Sequence, residues 1–145
     1  MKRILGVDTG DVRTGLAVSD SMGFLANGIG TFTEPDEDRL VALVVKYAAD
    51  YDVGTIVVGN PINMDGSAGS RSQKVCEFAD KVRKCVAEKN ISVTLFDERC
   101  TTMEAHRIMN ITNTRGKKRK AAVDTLSAQI ILQDYLDFCK SRPQN

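Results

Sequence analysis

The segment that most constrains the fold is residues 1–20, in which two apolar runs flank a turn. The first run ends at Asp8, and the second begins at Thr14 after a connection rich in Gly and Asp. Two short apolar runs joined in this way predict a β-hairpin. Aspartate is depleted in strands and is seldom buried without a partner, so Asp8 at the end of a core strand is either a turn cap or a metal ligand. The hairpin alone leaves both roles open.

Strand and helix patterns then alternate along the chain. An apolar, glycine-containing run at residues 24–32 predicts a third strand with a bulge. Residues 36–50 have helical spacing, and residues 53–58 form the continuous branched run that is typical of a parallel strand buried on both faces. Further patterns predict a helix from a Ser70–Gln73 capping box, a strand at 91–96, a helix from a Thr101–Glu104 capping box, a polar linker at 110–120 and a final helix at 121–138.

This order predicts an α/β fold with a mixed five-stranded sheet, made of a three-strand meander plus parallel strands and flanked by helices. The length of 145 residues indicates a single domain at residues 1–140, followed by a polar tail at 141–145. Neither a membrane span nor a signal peptide is expected, because no apolar run is long enough and no basic-then-apolar leader precedes the first strand.

Cysteine and histidine usage argues against a zinc site. The four cysteines form no CxxC pair, and the chain has a single histidine. Reduced thiols are typical of a cytoplasmic protein. The net charge is only +1, so any binding of nucleic acid must come from local basic patches.

Three carboxylates occupy the ends of predicted elements: Asp8 ends the first strand, Glu98 follows the last strand, and Asp124 lies in the first turn of the final helix. If strands one, four and five are parallel, their carboxyl ends share the edge where α/β sheets bind ligands. Oxygen donors of this kind suit Mg²⁺ or Mn²⁺, which catalyse phosphodiester hydrolysis in two-metal sites. Alternatively, Asp124 favours the helix dipole, and Glu98 pairs with Arg99 or Arg13 on the surface.

A basic cluster at residues 115–120 has five cations in six positions, directly before the predicted final helix. Such a run is commonly a solvated segment, but its place beside the acidic edge favours phosphate binding. We also expect the loop at residues 60–69 to close over the substrate. The candidate substrate-binding residues are Arg13, Asn60, Asn63, Arg71, Arg99, Lys117, Lys118, Arg119 and Lys120.

Four motifs together resemble the YqgF/RuvX family, in the family's order and over nearly the whole chain: residues 6–18, 58–66, 97–102 and 123–128. The resemblance implies a ribonuclease H-like fold related to Holliday junction resolvases and a nuclease role in 16S ribosomal RNA maturation. It also implies that Asp8, Glu98 and Asp124 are the catalytic acidic set. Two positions depart from the family pattern, because Asn60 replaces a more usual Leu and Cys100 replaces a larger apolar residue.

We therefore expect a metal-dependent nuclease that processes the 16S ribosomal RNA precursor, with structured RNA as its partner and Mg²⁺ or Mn²⁺ as its cofactor. The alternatives are a Holliday junction resolvase-like DNA endonuclease and a non-catalytic RNA-binding assembly factor. A resolvase would be expected to dimerise, since two symmetric cuts call for a two-fold arrangement. An RNA-trimming enzyme could be a monomer, so a monomer or a weak homodimer is expected.

Overall fold

The computed structural model describes residues 2–10, 12–61, 69–97 and 116–141, and in the last of these segments it describes the side chains of residues 125–139. Within these ranges we number the strands β1 to β5 and the helices α1 to α3. The strands are β1 (Arg3–Thr9), β2 (Arg13–Ser19), β3 (Ala26–Thr33), β4 (Val53–Asn60) and β5 (Ser92–Asp97). The helices are α1 (Glu37–Asp50), α2 (Ser70–Cys85) and α3 (Gly116–Ser141), with a short 3-10 helix at Ala87–Lys89.

The five strands form one sheet in the order β3-β2-β1-β4-β5. The pairs β1–β2 and β2–β3 are antiparallel, whereas β1–β4 and β4–β5 are parallel. This topology confirms the predicted meander followed by parallel strands, and it makes β1 the central strand. A register shift skips Ile29, because Leu16 pairs with Gly30 and Ala17 pairs with Gly28; the predicted bulge in the third strand is therefore confirmed.

The two faces of the sheet bury separate hydrophobic clusters. Leu5 and Val7 pack in the cluster that contains the apolar stripes of α1 and α2, whereas Ile4 packs in the cluster that contains the stripe of α3. Alternate side chains of a strand point to opposite faces, so these residues assign a face to every position of β1. On β4, Val58 packs in the cluster with α1 and α2, and Val57 packs in the cluster with α3. The prediction of a strand buried on both faces is confirmed.

Helix α3 lies very close to the sheet because two strand positions that face it are glycines. A Cβ added at Gly6 would lie 2.9 Å from Leu132 Cβ, and one added at Gly28 would lie 2.9 Å from Thr125 Cγ2. Side chains at either position would push the helix outward. The distance between α3 and the central strand therefore depends on Gly6.

Three of the predicted helix starts are tested by the described residues. The helix predicted at residues 36–50 is confirmed as α1, which begins at Glu37; its N-cap is Asp36, whose carboxylate accepts a hydrogen bond from the Arg39 amide at 3.0 Å. The Ser70 capping box is wrong: Gly69 is the N-cap of α2, no side chain caps this helix, and Ser70 already lies inside it.

The third start is also wrong, since α3 begins at Gly116 and not at residue 121. Lysine and arginine are good helix formers, so the basic run continues the helix instead of preceding it. The predicted Thr101–Glu104 helix and the part of the predicted linker at residues 110–115 lie outside the described residues. No helix in the described part of the chain is long and apolar enough to cross a membrane.

Candidate active site

Asp8 is the penultimate residue of the central strand and is half-buried. Because β1, β4 and β5 are parallel, their carboxyl ends lie at one edge of the sheet, which we call the carboxyl edge. At this edge the last residues of β4 and β5, Asn60 and Asp97, are paired directly. Glu98 comes next in the sequence after Asp97 but lies outside the described residues. The predicted convergence of three strand ends at one edge is confirmed.

Strand alternation places Asp8 on the face that α3 covers. Asp8 comes two residues after Gly6, whose added Cβ would contact Leu132 of α3. Helix α3 also carries Asp124, whose side chain is not described. The helix starts at the carboxyl edge and runs toward the opposite edge, because Thr125 contacts Thr31 near the end of β3, whereas Gln133 contacts Ala26 at its start. Asp8 and the early part of α3 therefore share both an edge and a face.

The position of Asp124 differs from the prediction. It comes eight residues after Gly116, in the third turn of α3 and not in the first. The interaction of a carboxylate with the helix dipole falls off within the first turn. This correction weakens the alternative in which Asp124 serves only the dipole.

The basic cluster also takes a different place from the one predicted. Lys117, Lys118, Arg119 and Lys120 belong to the first turns of α3 and do not form a linker before it. At 1.5 Å per residue, the helix extends about 13 Å toward its N-terminus from Thr125. The backbone of the cluster therefore lies beyond the carboxyl edge, on the side from which a ligand would approach.

Of the other predicted substrate contacts, Arg13 starts β2 at the carboxyl edge, and alternation places it on the same face as Asp8. The Arg71 guanidinium donates a hydrogen bond to the Thr9 carbonyl at 3.0 Å. Asn60 lies on the opposite face from Asp8, where its Oδ1 accepts a hydrogen bond of 2.7 Å from the buried Ser72 hydroxyl. Arg71 and Asn60 thus tie the start of α2 to the ends of β1 and β4. Arg99 and Asn63 lie outside the described residues.

A cavity of about 310 Å³ opens between the starts of α1 and α2, on the face opposite Asp8. Arg71 and Lys74 line it together with three carboxylates, from Glu34, Glu37 and Glu77. The charges of opposite sign leave no excess positive charge that would bind an anion. Thr9 and Gly10, which follow Asp8 in the chain, also line this cavity, but Asp8 does not.

The chemistry of Asp8 fits a hard divalent cation, because a half-buried carboxylate at a ligand-binding edge supplies the oxygen donor that Mg²⁺ and Mn²⁺ prefer. Among the side chains that the structure describes, no three His, Cys, Asp or Glu residues are grouped as metal ligands. Asp8 is the one member of the predicted acidic set whose side chain is among them. The roles of Asp8, Glu98 and Asp124 as ligands stay predictions.

Sequence reasoning missed the polar residues that attach α3 to β3. Thr125, Gln129 and Gln133 lie at intervals of four residues, and each makes a hydrogen bond to β3 or to the segment just before it. Their spacing of four residues on one helix was a signal available from the sequence. We call these three residues the polar stripe of α3.

Comparisons with known proteins agree with this architecture. A family profile described as "RuvX: Holliday junction resolvase" matches residues 2–138. A protein of Ruminiclostridium cellulolyticum named "Putative pre-16S rRNA nuclease" is 41% identical over 136 residues, which cover 93% of this chain and 94% of that protein. A protein of the same name from Clostridium botulinum strain Hall is 43% identical over 135 residues, covering 93% and 96%.

Two solved structures share the fold at low sequence identity. Thermus thermophilus RuvC in complex with a Holliday junction is 14% identical with a TM-score of 0.60, and the match covers 97% of each chain. The fowlpox virus Holliday junction resolvase is 12% identical with a TM-score of 0.60, covering 94% of this chain and 99% of that one. The fold is therefore ribonuclease H-like, as in these resolvases. On the family match and the close relatives together, the chain belongs to the RuvX family.

Proposed function

We propose that this protein is a metal-dependent nuclease that hydrolyses phosphodiester bonds in the precursor of 16S ribosomal RNA. Its family and its similarity to nuclease-named relatives support a nuclease. The observation that carries the proposal is the placement of Asp8. Its carboxylate lies at the carboxyl edge of the central strand, on the face covered by the helix that bears Asp124.

In this proposal Asp8, Glu98 and Asp124 would together hold the metal, with Asp8 supplying its carboxylate from the central strand. Bound there, Mg²⁺ or Mn²⁺ would supply Lewis-acid chemistry that generates hydroxide from water near neutral pH and stabilises the leaving oxygen. Helical periodicity supports the role of Asp124. Position 124 falls on the same stripe of α3 as Ala128 and Ile131, both of which are buried against the sheet.

The cations would hold the substrate backbone against this edge. A polyanion cannot approach three carboxylates without compensating positive charge. Arg13 lies at the same edge and face as Asp8, and the basic positions 117–120 extend beyond that edge on α3. We infer that these residues neutralise phosphates on either side of the scissile bond. Arg71 and Asn60 would act mainly by fixing the start of α2, since each is bonded to another part of the protein.

The experiment compares two labelled substrates, a precursor-rRNA fragment and a synthetic four-way DNA junction, with Mg²⁺, Mn²⁺ or chelator. Wild type, Asp8→Asn and Asp137→Asn are assayed in parallel, with a thermal melt of each. Asp137 is an exposed carboxylate on the later part of α3, where it accepts a hydrogen bond from Gln133, so it serves as the matched control. We expect metal-dependent cleavage of the RNA by wild type and Asp137→Asn, and none by a folded Asp8→Asn.

Paired symmetric cuts in the junction would instead support a resolvase, the second candidate, which the shared fold of the RuvC–junction complex favours. A dimer in solution would be expected in that case. Undiminished metal-dependent cleavage by Asp8→Asn would refute the assignment of Asp8. Tight, salt-sensitive RNA binding without any cleavage would point to the third candidate, a non-catalytic assembly factor.

A further inference from the structure

A hydroxyl pair links α3 to the edge strand at the level of Asp8. Thr31 of β3 and Thr125 of α3 share a short hydrogen bond, and both residues are half-buried. In the sheet, Asp8 is paired directly with Gly15 of β2, and Gly15 is paired directly with Thr31. Directly paired residues point to the same face, so Asp8, Gly15 and Thr31 form one row on the face that α3 covers. With strands about 4.8 Å apart, Thr31 is about 10 Å from Asp8 along this row.

The polar stripe fixes the position of α3 along its own axis. Gln129 donates a hydrogen bond to the Ala26 carbonyl at 3.1 Å, and Gln133 accepts one from the Ala26 amide at 2.9 Å while donating another to the Phe24 carbonyl at 2.9 Å. Apolar packing is non-directional, whereas hydrogen bonds have narrow limits on distance and angle. The polar stripe therefore determines the axial position of α3 relative to β3.

The member of this stripe nearest to Asp124 is Thr125, its neighbour in the chain. Gln129 and Gln133 bind the opposite end of β3, where Ala26 is paired with Ser19. They can fix that end of α3 but leave its start at the carboxyl edge to other contacts. The Thr31–Thr125 hydrogen bond, by contrast, lies in the same row of the sheet as Asp8. A slip or rotation of the helix at this point would change the separation of positions 8 and 124.

We propose that Thr31 and Thr125 are positioning residues, whose shared hydrogen bond sets the axial position and rotation of α3 so that Asp124 meets Asp8 at the metal site. This inference rests on the proposed function of those two carboxylates. It adds to that function a pair of residues that touch neither metal nor substrate. The hydroxyl group is what the role requires, because a valine of nearly the same shape can fill the space but cannot form the bond.

The test measures Mn²⁺ affinity in the absence of nucleic acid, kcat and KM for RNA cleavage, and thermal stability. The variants are Thr31→Val, Thr125→Val, the double variant and Thr125→Ser. Thr55→Val is the matched control: its hydroxyl shares a 3.1 Å hydrogen bond with Ser92 between β4 and β5, at the edge opposite Asp8. It removes the same chemical group from a hydroxyl pair that joins two strands of the sheet.

For each valine variant we expect about 10- to 100-fold weaker Mn²⁺ binding and a fall in kcat of similar size, with KM for RNA unchanged. The double variant should resemble either single variant, because both remove one shared interaction. Thr125→Ser should restore most of the Mn²⁺ affinity. Thr55→Val should have wild-type Mn²⁺ affinity and kcat even if its melting temperature falls.

Two outcomes separate failure of this inference from failure of the proposed function. If wild type cleaves and Asp8→Asn does not, while Thr31→Val and Thr125→Val behave like Thr55→Val, the positioning role is wrong and the nuclease assignment stands. If wild type neither binds Mn²⁺ nor cleaves either substrate, the proposed function and the positioning role are both wrong.

Discussion

Replacing Gly6 with alanine tests how closely α3 must approach the central strand. The added Cβ would lie 2.9 Å from Leu132 Cβ and 3.3 Å from the Ala128 carbonyl oxygen, both on α3. Carbon atoms pack best at about 3.5–4.0 Å, so α3 has to move outward by about 1 Å. Leu132 is fully buried and its Cβ is fixed to the helix backbone, so rotation of the side chain cannot relieve the contact.

The expected change in the free energy of unfolding is the difference between two opposing effects. Overpacking a well-packed core costs about 1–3 kcal/mol. Alanine is favoured over glycine in a strand by about 0.5–1 kcal/mol, which offsets part of that cost. A net loss of about 1–2 kcal/mol should lower the melting temperature by about 2–8 °C for a chain of this size. Because α3 carries Asp124, a displacement of about 1 Å should also lower kcat by up to about 100-fold.

Thermal melts and RNA cleavage at saturating Mn²⁺ measure both effects. Gly54→Ala is the control, since its added Cβ would lie 3.0 Å from Lys2 Cβ, in the exposed first residues of the chain. We expect that segment to move with little loss of stability and no loss of kcat. A Gly6→Ala protein with the melting temperature and kcat of wild type would refute the reasoning about α3.

Two further predictions concern charge. Desolvation raises the pKa of Asp20, but hydrogen bonds from the Phe24 and Leu25 amides at 2.8 and 3.3 Å contribute to a net lowering below its usual value of 3.8. A carboxylate whose pKa is lower in the folded state stabilises the fold at pH values above its pKa in the unfolded chain. The melting temperature of wild type should therefore exceed that of Asp20→Asn by its full margin near pH 7, and the margin should shrink as the pH falls below about 4. An equal margin at pH 3 would contradict this. Replacing Lys117 and Lys118 with alanine should make RNA binding less sensitive to salt. The slope of log K against log salt concentration should become shallower by about 0.7 for each lost phosphate contact on a single strand. An unchanged slope would place those side chains away from the RNA.

Local sequence patterns predicted most of the fold because the strands and the first helix contain their own signals. The branched run of β4 indicated burial on both faces, and both faces are buried. The start of α3 was missed because the basic run was interpreted as a polar linker, although charge and helix formation are compatible in lysine and arginine. The Ser70 capping box was wrong because the chain enters α2 through Gly69, with no side chain as cap.

Some features of the candidate site were likewise predictable from the sequence, and others were not. The sequence by itself determined which carboxylates are present, that oxygen donors favour Mg²⁺ or Mn²⁺, and to which family the chain belongs. Only the tertiary structure decided that Asp8 faces α3 while Asn60 faces α2, and that Thr31 lies in the row of Asp8. The face to which a side chain points and the row in which it lies depend on the register of the strands. They also depend on the axial position of a helix that is separated from its partner strand by more than ninety residues of sequence. Those quantities are set by non-local packing and hydrogen bonds, which a pattern read along a single chain does not contain.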